Sequence, residues 1–375
     1  MKLFYITNAR IPTEKAHGYQ ICKMCEEFAH AGSDVELIVP VRKNNIKKDV
    51  FEFYGIEKNF KIKQIKSFDF LIFNKYLGRL SFYLQSLSFL IKLFFIKIDN
   101  NAIIYTRNFE IAWLLRLRGH KTVYEAHSWP GSKIWIYKLL IKNIDKIVVI
   151  THGLKNLFLK NSFSENKILI APDGVNLEKF DIDLTREQAR EKLGLPQDKK
   201  IILYTGHLYK WKGAQILADV AELLDENSLI VFIGGTGKDE KEFRIKNKKL
   251  ENILVAGYQP HSEIPYWLKA ADVLVLPNSG KENISKFYTS PLKLFEYMAS
   301  KRPIVASNLP SIREILNEHN AVLVEPDNPQ SLDSGIKKVL QDSDLAGRIS
   351  KQAFQDVQNY TWRNRVKNIL NFIKN

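Results

Sequence analysis

Three stretches of the 375-residue chain offer backbone amides and basic residues to a ligand where the chain enters a helix, two of them with glycine and the third with proline. In Pro12-Thr13-Glu14-Lys15-Ala16-His17-Gly18, the glycine precedes a helix opening near Tyr19, so backbone N–H groups and the helix dipole can face a phosphate. Tyr204-Thr205-Gly206-His207-Leu208-Tyr209-Lys210-Trp211-Lys212-Gly213 repeats the arrangement: Lys210 and Lys212 can meet phosphate oxygens as point charges, with Gly206 and Gly213 clearing room for the backbone. In Phe287-Tyr288-Thr289-Ser290-Pro291-Leu292-Lys293-Leu294-Phe295-Glu296, Pro291 suits a first helical turn whose amides point at a ligand. Glu296 follows about a turn and a half later, where its carboxylate can accept both hydroxyls of a ribose. Arg107 and His127 stand just past strand ends. Each of these residues also has a plain structural reading: an ordinary turn, a solvated helix glutamate, a surface arginine, a structural histidine. No G-x-G-x-x-G and no Walker lysine followed by Ser or Thr is present, which disfavours a Rossmann dehydrogenase and a magnesium-held triphosphate.

Positioning such groups requires strands that end together. Uninterrupted apolar runs predict strands at Leu3–Thr7, Val35–Pro40, Ala102–Thr106, Thr122–Glu125, Lys146–Ile150 and Ile168–Ala171, then at Ile201–Thr205, Leu229–Ile233, Ile253–Ala256, Val273–Leu276, Ile304–Ala306 and Ala321–Val324. Helical patterns such as Gln20–His30, Ala214–Leu224, Pro265–Ala271, Pro291–Ala299 and Pro310–Leu316 lie between them. Strands apolar on both faces and alternating with helices predict an α/β fold with two doubly wound parallel sheets, their ligands bound in a central cleft at the strand carboxyl ends. The expected seam runs from Asp173-Gly174 through the polar stretch Leu177–Lys200.

The chain carries 56 Lys and Arg against 41 Asp and Glu, a net charge of +15. Up to residue 180 there are 28 basic and 16 acidic residues, and after it 28 and 25, so the excess lies in the first half. Such an excess favours a polyanionic partner. Lysines and arginines between Arg42 and Lys97 interleave with Leu, Phe and Ile, predicting an element that lies on an anionic membrane through residues 42–97; a solvated lysine-rich surface on a core helix is the alternative. Nucleic acid is disfavoured because no recognition motif accompanies the charge. Two cysteines, Cys22 and Cys25, exclude a disulfide scaffold and sit at helical spacing among apolar residues, which favours buried reduced thiols over a redox pair. The amino terminus reads as a strand rather than a signal peptide, so cytoplasmic residence is expected.

The chain resembles a retaining GT-B glycosyltransferase of family four. The most specific stretch is Ser290-Pro-Leu-Lys-Leu-Phe-Glu-Tyr-Met-Ala-Ser-Lys-Arg-Pro-Ile-Val-Ala-Ser-Asn-Leu-Pro-Ser-Ile-Arg-Glu-Ile315, supported by Lys15–Ile21, Tyr124–His127, Ala171–Asn176, Thr205–Gly213 and Ala271–Pro277. The resemblance implies a GT-B architecture with an acceptor-side domain at 1–178, a donor-binding domain at 179–355 and a terminal helix, 356–375, that packs back on the first domain. It implies donor binding by Gly18, Gly206, His207, Lys212, Tyr288, Ser290, Pro291, Leu292, Lys293 and Glu296. His127 is implied as the catalytic histidine, with Arg107 and His17 as phosphate or acceptor contacts. Three positions depart from the family pattern: His17 replaces the first glycine of a pair, His207 stands where arginine is usual, and Tyr288 stands where the first glutamate of E-x7-E belongs.

The implied reaction is front-face transfer of a sugar from a nucleotide diphosphate to a lipid-linked or polysaccharide acceptor, with retention and without a cofactor or metal. Asp181-Ile182-Asp183 has the D-x-D form but falls in the interdomain stretch, and a metal role is not expected. A nucleotide-sugar 2-epimerase of the same fold is one alternative, which Tyr288 in place of a glutamate does not encourage; a non-catalytic GT-B partner protein is the other, which the His207 and Tyr288 departures leave open.

Overall fold

Apolar runs without polar alternation need cover on both faces. The computed structural model, which describes residues 1–130 and 134–375, supplies that cover with two parallel sheets flanked by helices. One unit comprises Met1–Ile150, Leu154–Ala171 and Trp362–Asn375; the other comprises Thr151–Gly153 and Pro172–Thr361.

The first unit holds β1 (Lys2–Ile6), β2 (Asp34–Pro40), β3 (Lys61–Ile65), β4 (Ile103–Thr106), β5 (Lys121–Ala126), β6 (Lys146–Val149) and β7 (Ile168–Ile170) in the order β3-β2-β1-β4-β5-β6-β7. The second holds β8 (Lys200–Thr205), β9 (Ser228–Ile233), β10 (Ile253–Gly257), β11 (Val273–Leu276), β12 (Ile304–Ser307) and β13 (Val322–Val324) in the order β10-β9-β8-β11-β12-β13. All twelve strands expected from the apolar runs form. β3 was not expected, because its sequence Lys-Ile-Lys-Gln-Ile is that of a solvated edge, with lysines that discourage pairing with another chain. In each sheet the winding reverses beside the first strand, between β1 and β4 and between β8 and β11, and a doubly wound sheet opens its ligand crevice at such a point.

In the first unit Phe4, Ile6, Ile38, Ile104 and Ile111 pack with Phe89 and Leu93 of the helix Arg79–Phe95. Tyr5, Tyr105 and Phe28 of the helix Ala16–His30 cluster together, with ring centroids 5.2 Å apart for both Tyr5–Tyr105 and Phe28–Tyr105. Cys22 and Cys25 lie in that helix, buried and free, and burial pushes both thiols up, so neither is a reactive thiolate. The terminal helix Trp362–Lys374 buries Trp362, Val366, Ile369, Leu370 and Ile373 at three- and four-residue spacing, each contributing about 1.5–3 kcal/mol of apolar burial.

The stretch taken as an interdomain seam is folded into the second unit. Thr185 and Gln188 form a capping box on the helix Arg186–Leu193, and buried Arg190 donates to Ala270 O (3.0 Å), Gln197 O (3.1 Å), Lys199 O (3.1 Å) and Asp272 (2.6 Å). A further anchor is steric. Gly213 adopts φ 73°, and a Cβ there would stand 1.6 Å from Pro277 O, so only glycine lets the turn after β8 close against the chain leaving β11.

Candidate functional site

Of the expected donor residues of the second unit, Gly206, Lys212 and Lys293 meet near the carboxyl end of β8. Thr205 N–H donates to the buried Tyr297 hydroxyl at 2.8 Å, which ties the strand end to the helix Leu292–Ala299. Pro291 is the residue before that helix rather than its first turn, and no side chain caps the N-terminus. Lys293, on the first turn, is buried; its ammonium lies 3.7 Å from the Tyr204 ring centroid and finds no hydrogen-bond partner among the described residues. Lys212 closes the short 3-10 turn Lys210–Lys212 with its ammonium 4.7 Å from the Trp211 ring centroid. Lys210 is exposed.

Burial drives both cations toward neutrality. It lowers Lys212 to about 8, and burial together with the neighbouring Lys212 charge drives Lys293 well below the ordinary lysine value, although Glu296 pulls the other way. Among the described residues neither lysine is in an ion pair with a carboxylate. The arrangement is chemically suited to an anion with several oxygens.

Glu296, also buried, accepts from His261 Nε2 at 2.8 Å, and that Oε1 retains a second lone pair. His261 was not found from the sequence, because it lies in a turn after β10 with no motif around it. Gly206 leaves space toward Lys293: a Cβ there would be 3.8 Å from the ammonium. His207 stacks on Tyr209 at 4.8 Å and 5°, and its carbonyl accepts from the Tyr204 hydroxyl at 2.6 Å. Ser290 Oγ accepts from Asp173 N at 3.1 Å, an interaction that joins two loops. Leu292 is half-buried, and half-buried Tyr288 ends the short helix Asn283–Phe287 with its ring 6.1 Å from that of Phe287.

In the first unit the expected residues gather around Glu125, fully buried near the end of β5. Its carboxylate accepts from Gln20 Nε2 (2.8 Å), Arg365 Nη2 (3.0 Å), His127 Nε2 and the Tyr105 hydroxyl, while Arg107 donates to Gln20 Oε1 at 2.8 Å. Burial would raise this carboxyl, but Arg365, His127 and Arg107 outweigh it and hold it well below the usual range. The ionised Glu125 thereby fixes the His127 tautomer with the proton on Nε2. Arg365 was invisible to sequence reasoning, since it lies 240 residues from Glu125. His17 is driven down to about 4 by burial and by Arg107, Lys15 and His127, so at neutral pH it is an uncharged imidazole and not a cationic phosphate contact. Gly18 differs from the expected phosphate-facing glycine. Its amide donates to Lys15 O (2.9 Å), and a Cβ would fall 2.1 Å from the Tyr54 hydroxyl, so close packing by Tyr54 accounts for the glycine.

Residues 185–356 match the family described as glycosyl transferases group 1. The teichuronic acid biosynthesis glycosyltransferase assignment TuaC of Bacillus subtilis is 24% identical over 259 residues, covering 68% of this chain and 62% of that protein. The Escherichia coli UDP-Gal:alpha-D-GlcNAc-diphosphoundecaprenol alpha-1,3-galactosyltransferase is 26% identical over 269 residues, covering 66% and 65%. The chain therefore spans a little under two thirds of the length of these two relatives. Among solved structures, sucrose-phosphate synthase from Thermosynechococcus elongatus superposes with a TM-score of 0.79 at 18% identity, covering 100% of this chain and 98% of that one. The chain has the GT-B architecture of two Rossmann-like domains, and its residues 185–356 are similar to the group 1 glycosyl transferases.

An unneutralised buried lysine costs stability that a ligand restores. Lys293→Met is therefore expected to stabilise the ligand-free protein by about 1–2 kcal/mol, raising its melting temperature by several degrees, and to remove any stabilisation by an anionic ligand such as UDP. Scanning calorimetry with and without UDP checks this; a lower melting temperature for the variant would mean that the lysine is already satisfied.

Proposed function

We propose that the protein is a glycosyltransferase that moves a sugar from a nucleoside diphosphate donor to a lipid-linked or glycan acceptor in cell-surface glycan synthesis. The observation that carries this reading is the pair Lys212 and Lys293, two cations near one strand end with no carboxylate partner among the described residues. A diphosphate supplies the missing charge, and Glu296, held by His261, supplies the acceptor atoms for ribose hydroxyls. As the bond from the sugar to the phosphate breaks, negative charge grows on the leaving oxygen, and the two ammonium groups stabilise it with little rearrangement.

The finer reading is a family-four enzyme acting with retention, His127 serving the reacting centre with its proton fixed by Glu125. No metal is needed in this scheme, because the lysines carry the charge a cation would otherwise bring; Asp181 of the D-x-D sequence is paired with Lys301 at 2.8 Å. Tyr288 replaces a carboxylate with a phenol, so a different pattern of donor-sugar hydroxyls is recognised. The names of the relatives, one in teichuronic acid synthesis and one acting on a diphosphoundecaprenol-linked sugar, support a surface-glycan role.

The reading includes attachment to the cytoplasmic face of an anionic membrane. The helix Arg79–Phe95 buries Ser81 and Gln85 alongside Phe89 and Leu93, and exposes Leu80, Tyr83, Leu87, Ile91 and Phe95. Tyr76, at 82% exposure, and Phe68, Ile72 and Phe73 extend this apolar surface. That composition is the reverse of a solvated lysine-rich face. Lys66, Lys75, Arg79, Lys92 and Lys97 flank it, with Asp69 the one acidic residue from 66 to 97, which suits anionic headgroups. No helix among the described residues is long and apolar enough to cross a membrane.

Transfer from UDP-sugars is expected to fall at least about hundredfold in Lys212→Ala and in Glu296→Ala with folding intact, and the product anomer by NMR is expected to match the donor. Near-normal turnover in both variants would end the donor-site assignment; an inverted product would end the retaining one, and an epimerised free sugar would make the protein an isomerase. On flotation, the chain is expected to rise with anionic vesicles at low salt, and Leu80→Asp with Leu87→Asp to stay in solution. Recovery of the chain in the soluble fraction with anionic vesicles at low salt, or a concentration-dependent dimer blocked by the same substitutions, would overturn membrane attachment, and equal flotation with zwitterionic vesicles would overturn the role of the anionic headgroups.

A further inference from the structure

A cavity of about 860 Å³ lies within the first unit beside the loop from β1 to the helix Ala16–His30, with His17 among its lining residues. Two of its donors are left over by folding. Gln85 is buried and its Oε1 accepts from Phe70 N at 3.0 Å, yet its Nε2 meets no acceptor among the described residues. Arg42 spends Nη2 on Asn8 O (2.6 Å) and Asn8 Oδ1 (2.5 Å), yet its buried Nε meets none. Orphaned buried donors are costly, and two of them lining one cavity point to an acceptor that arrives with a ligand.

The charges around them favour an anion. Arg10, Lys15, Arg42 and Lys43 line the cavity against Glu14 and Asp69. Glu14 is already paired with Arg10, and Asp69 accepts from the backbone N–H groups of Lys43 (3.0 Å) and Leu71 (3.2 Å). The Asp69 charge still acts on Arg42, but four basic residues face two carboxylates, so the exposed side chain of Lys43 and the orphaned Arg42 Nε remain in a net positive lining. One wall is of another kind: Ile72 and Phe82 line the same cavity and also belong to the exposed apolar surface around the helix Arg79–Phe95.

We propose that this cavity binds the phosphate or diphosphate head of an amphiphile, its oxygens on Arg42, Gln85 and Lys43 and its hydrocarbon leaving over Ile72 and Phe82. The inference rests on the sugar-transfer reading in that the amphiphile is the acceptor; it adds that the acceptor is recognised through its phosphate and not through its sugar alone. The apolar surface then serves two purposes, holding the lipid layer and guiding one lipid chain into the cavity.

Isothermal titration of the full chain with decyl phosphate below its micelle concentration tests this, with decyl glucoside as the neutral amphiphile and inorganic pyrophosphate as the anion without a tail. Decyl phosphate is expected to bind at least about tenfold more tightly than either. Lys43→Glu, at an exposed position that folding tolerates, is expected to weaken decyl phosphate and pyrophosphate by about tenfold, and Phe82→Ser to weaken decyl phosphate alone. Arg42→Gln, with its melting temperature checked, should reproduce the anion effect. Equal binding of decyl glucoside and decyl phosphate, or no effect of Lys43→Glu, would overturn the anion site. Pyrophosphate binding as tight as decyl phosphate and indifferent to Phe82→Ser would make the ligand a free phosphate and overturn the amphiphile. UDP titrated into the same protein separates the two readings: UDP binding without decyl phosphate binding fails the cavity alone, and the converse fails the donor site alone.

Discussion

Two lysine ammonium groups without a carboxylate partner among the described residues, that of buried Lys293 and that of half-buried Lys212, are the constraint on which the second unit is organised. Moving an ion from water into a protein interior costs several kcal/mol even after relaxation, and the Tyr204 ring face beside Lys293 returns only part of that. The surrounding structure keeps the lysines where they are despite this cost. Gly213 locks the turn carrying Lys212 against Pro277, and Tyr297 fixes the helix carrying Lys293 to the end of β8. His261 holds Glu296 on the same helix. A site so arranged is incomplete until an anion enters, and the binding energy of that anion includes the relief of the cost.

The first unit solves the opposite problem. Glu125 is a fully buried anion, and Arg365, His127, Gln20 and Tyr105 satisfy it completely enough that its carboxyl sits far below the usual range. Nothing about this carboxylate awaits a ligand. Its effect is on position: it connects the terminal helix, the helix Ala16–His30 and the strand end that presents His127, and it decides which imidazole nitrogen carries the proton. Removing Arg365 would leave a buried uncompensated charge, which explains why the chain's last helix belongs to its first unit. The +15 net charge enters neither network; much of the first half's excess lies near the exposed apolar surface of residues 68–95.

Elements dominated by short-range physics were legible in the sequence. Twelve of the strands follow from apolar runs, and the turn at Lys212 and the helix of Lys293 and Glu296 follow from glycine, proline and spacing. What escaped was set by other physics. β3 was hidden because an edge strand can carry lysines, and the polar stretch before Lys200 reads as a linker although Arg190 anchors it. His261 and Arg365 escaped because each meets its partner only through the tertiary fold. Gly18 shows the reverse error: its phosphate reading was sound as chemistry, yet the packed Tyr54 ring already requires glycine there. The apolar outer face of Arg79–Phe95 could not be told from a core face by periodicity, because both carry the same residues and only burial separates them.

The central claim is that the lysine pair is completed by a nucleoside diphosphate, and proton linkage reads it directly. Burial holds Lys212 at about 8 in the free protein, so at pH 8.5 it is mostly neutral, and a bound diphosphate must restore its proton. Calorimetric titration of UDP at that pH, in two buffers with different heats of ionisation, measures the protons exchanged. The expected result is net uptake of more than about half a proton per UDP, smaller in Lys212→Ala, where only the depressed Lys293 is left to regain a proton. UDP binding with no proton uptake, or no UDP binding at all, would contradict the assignment.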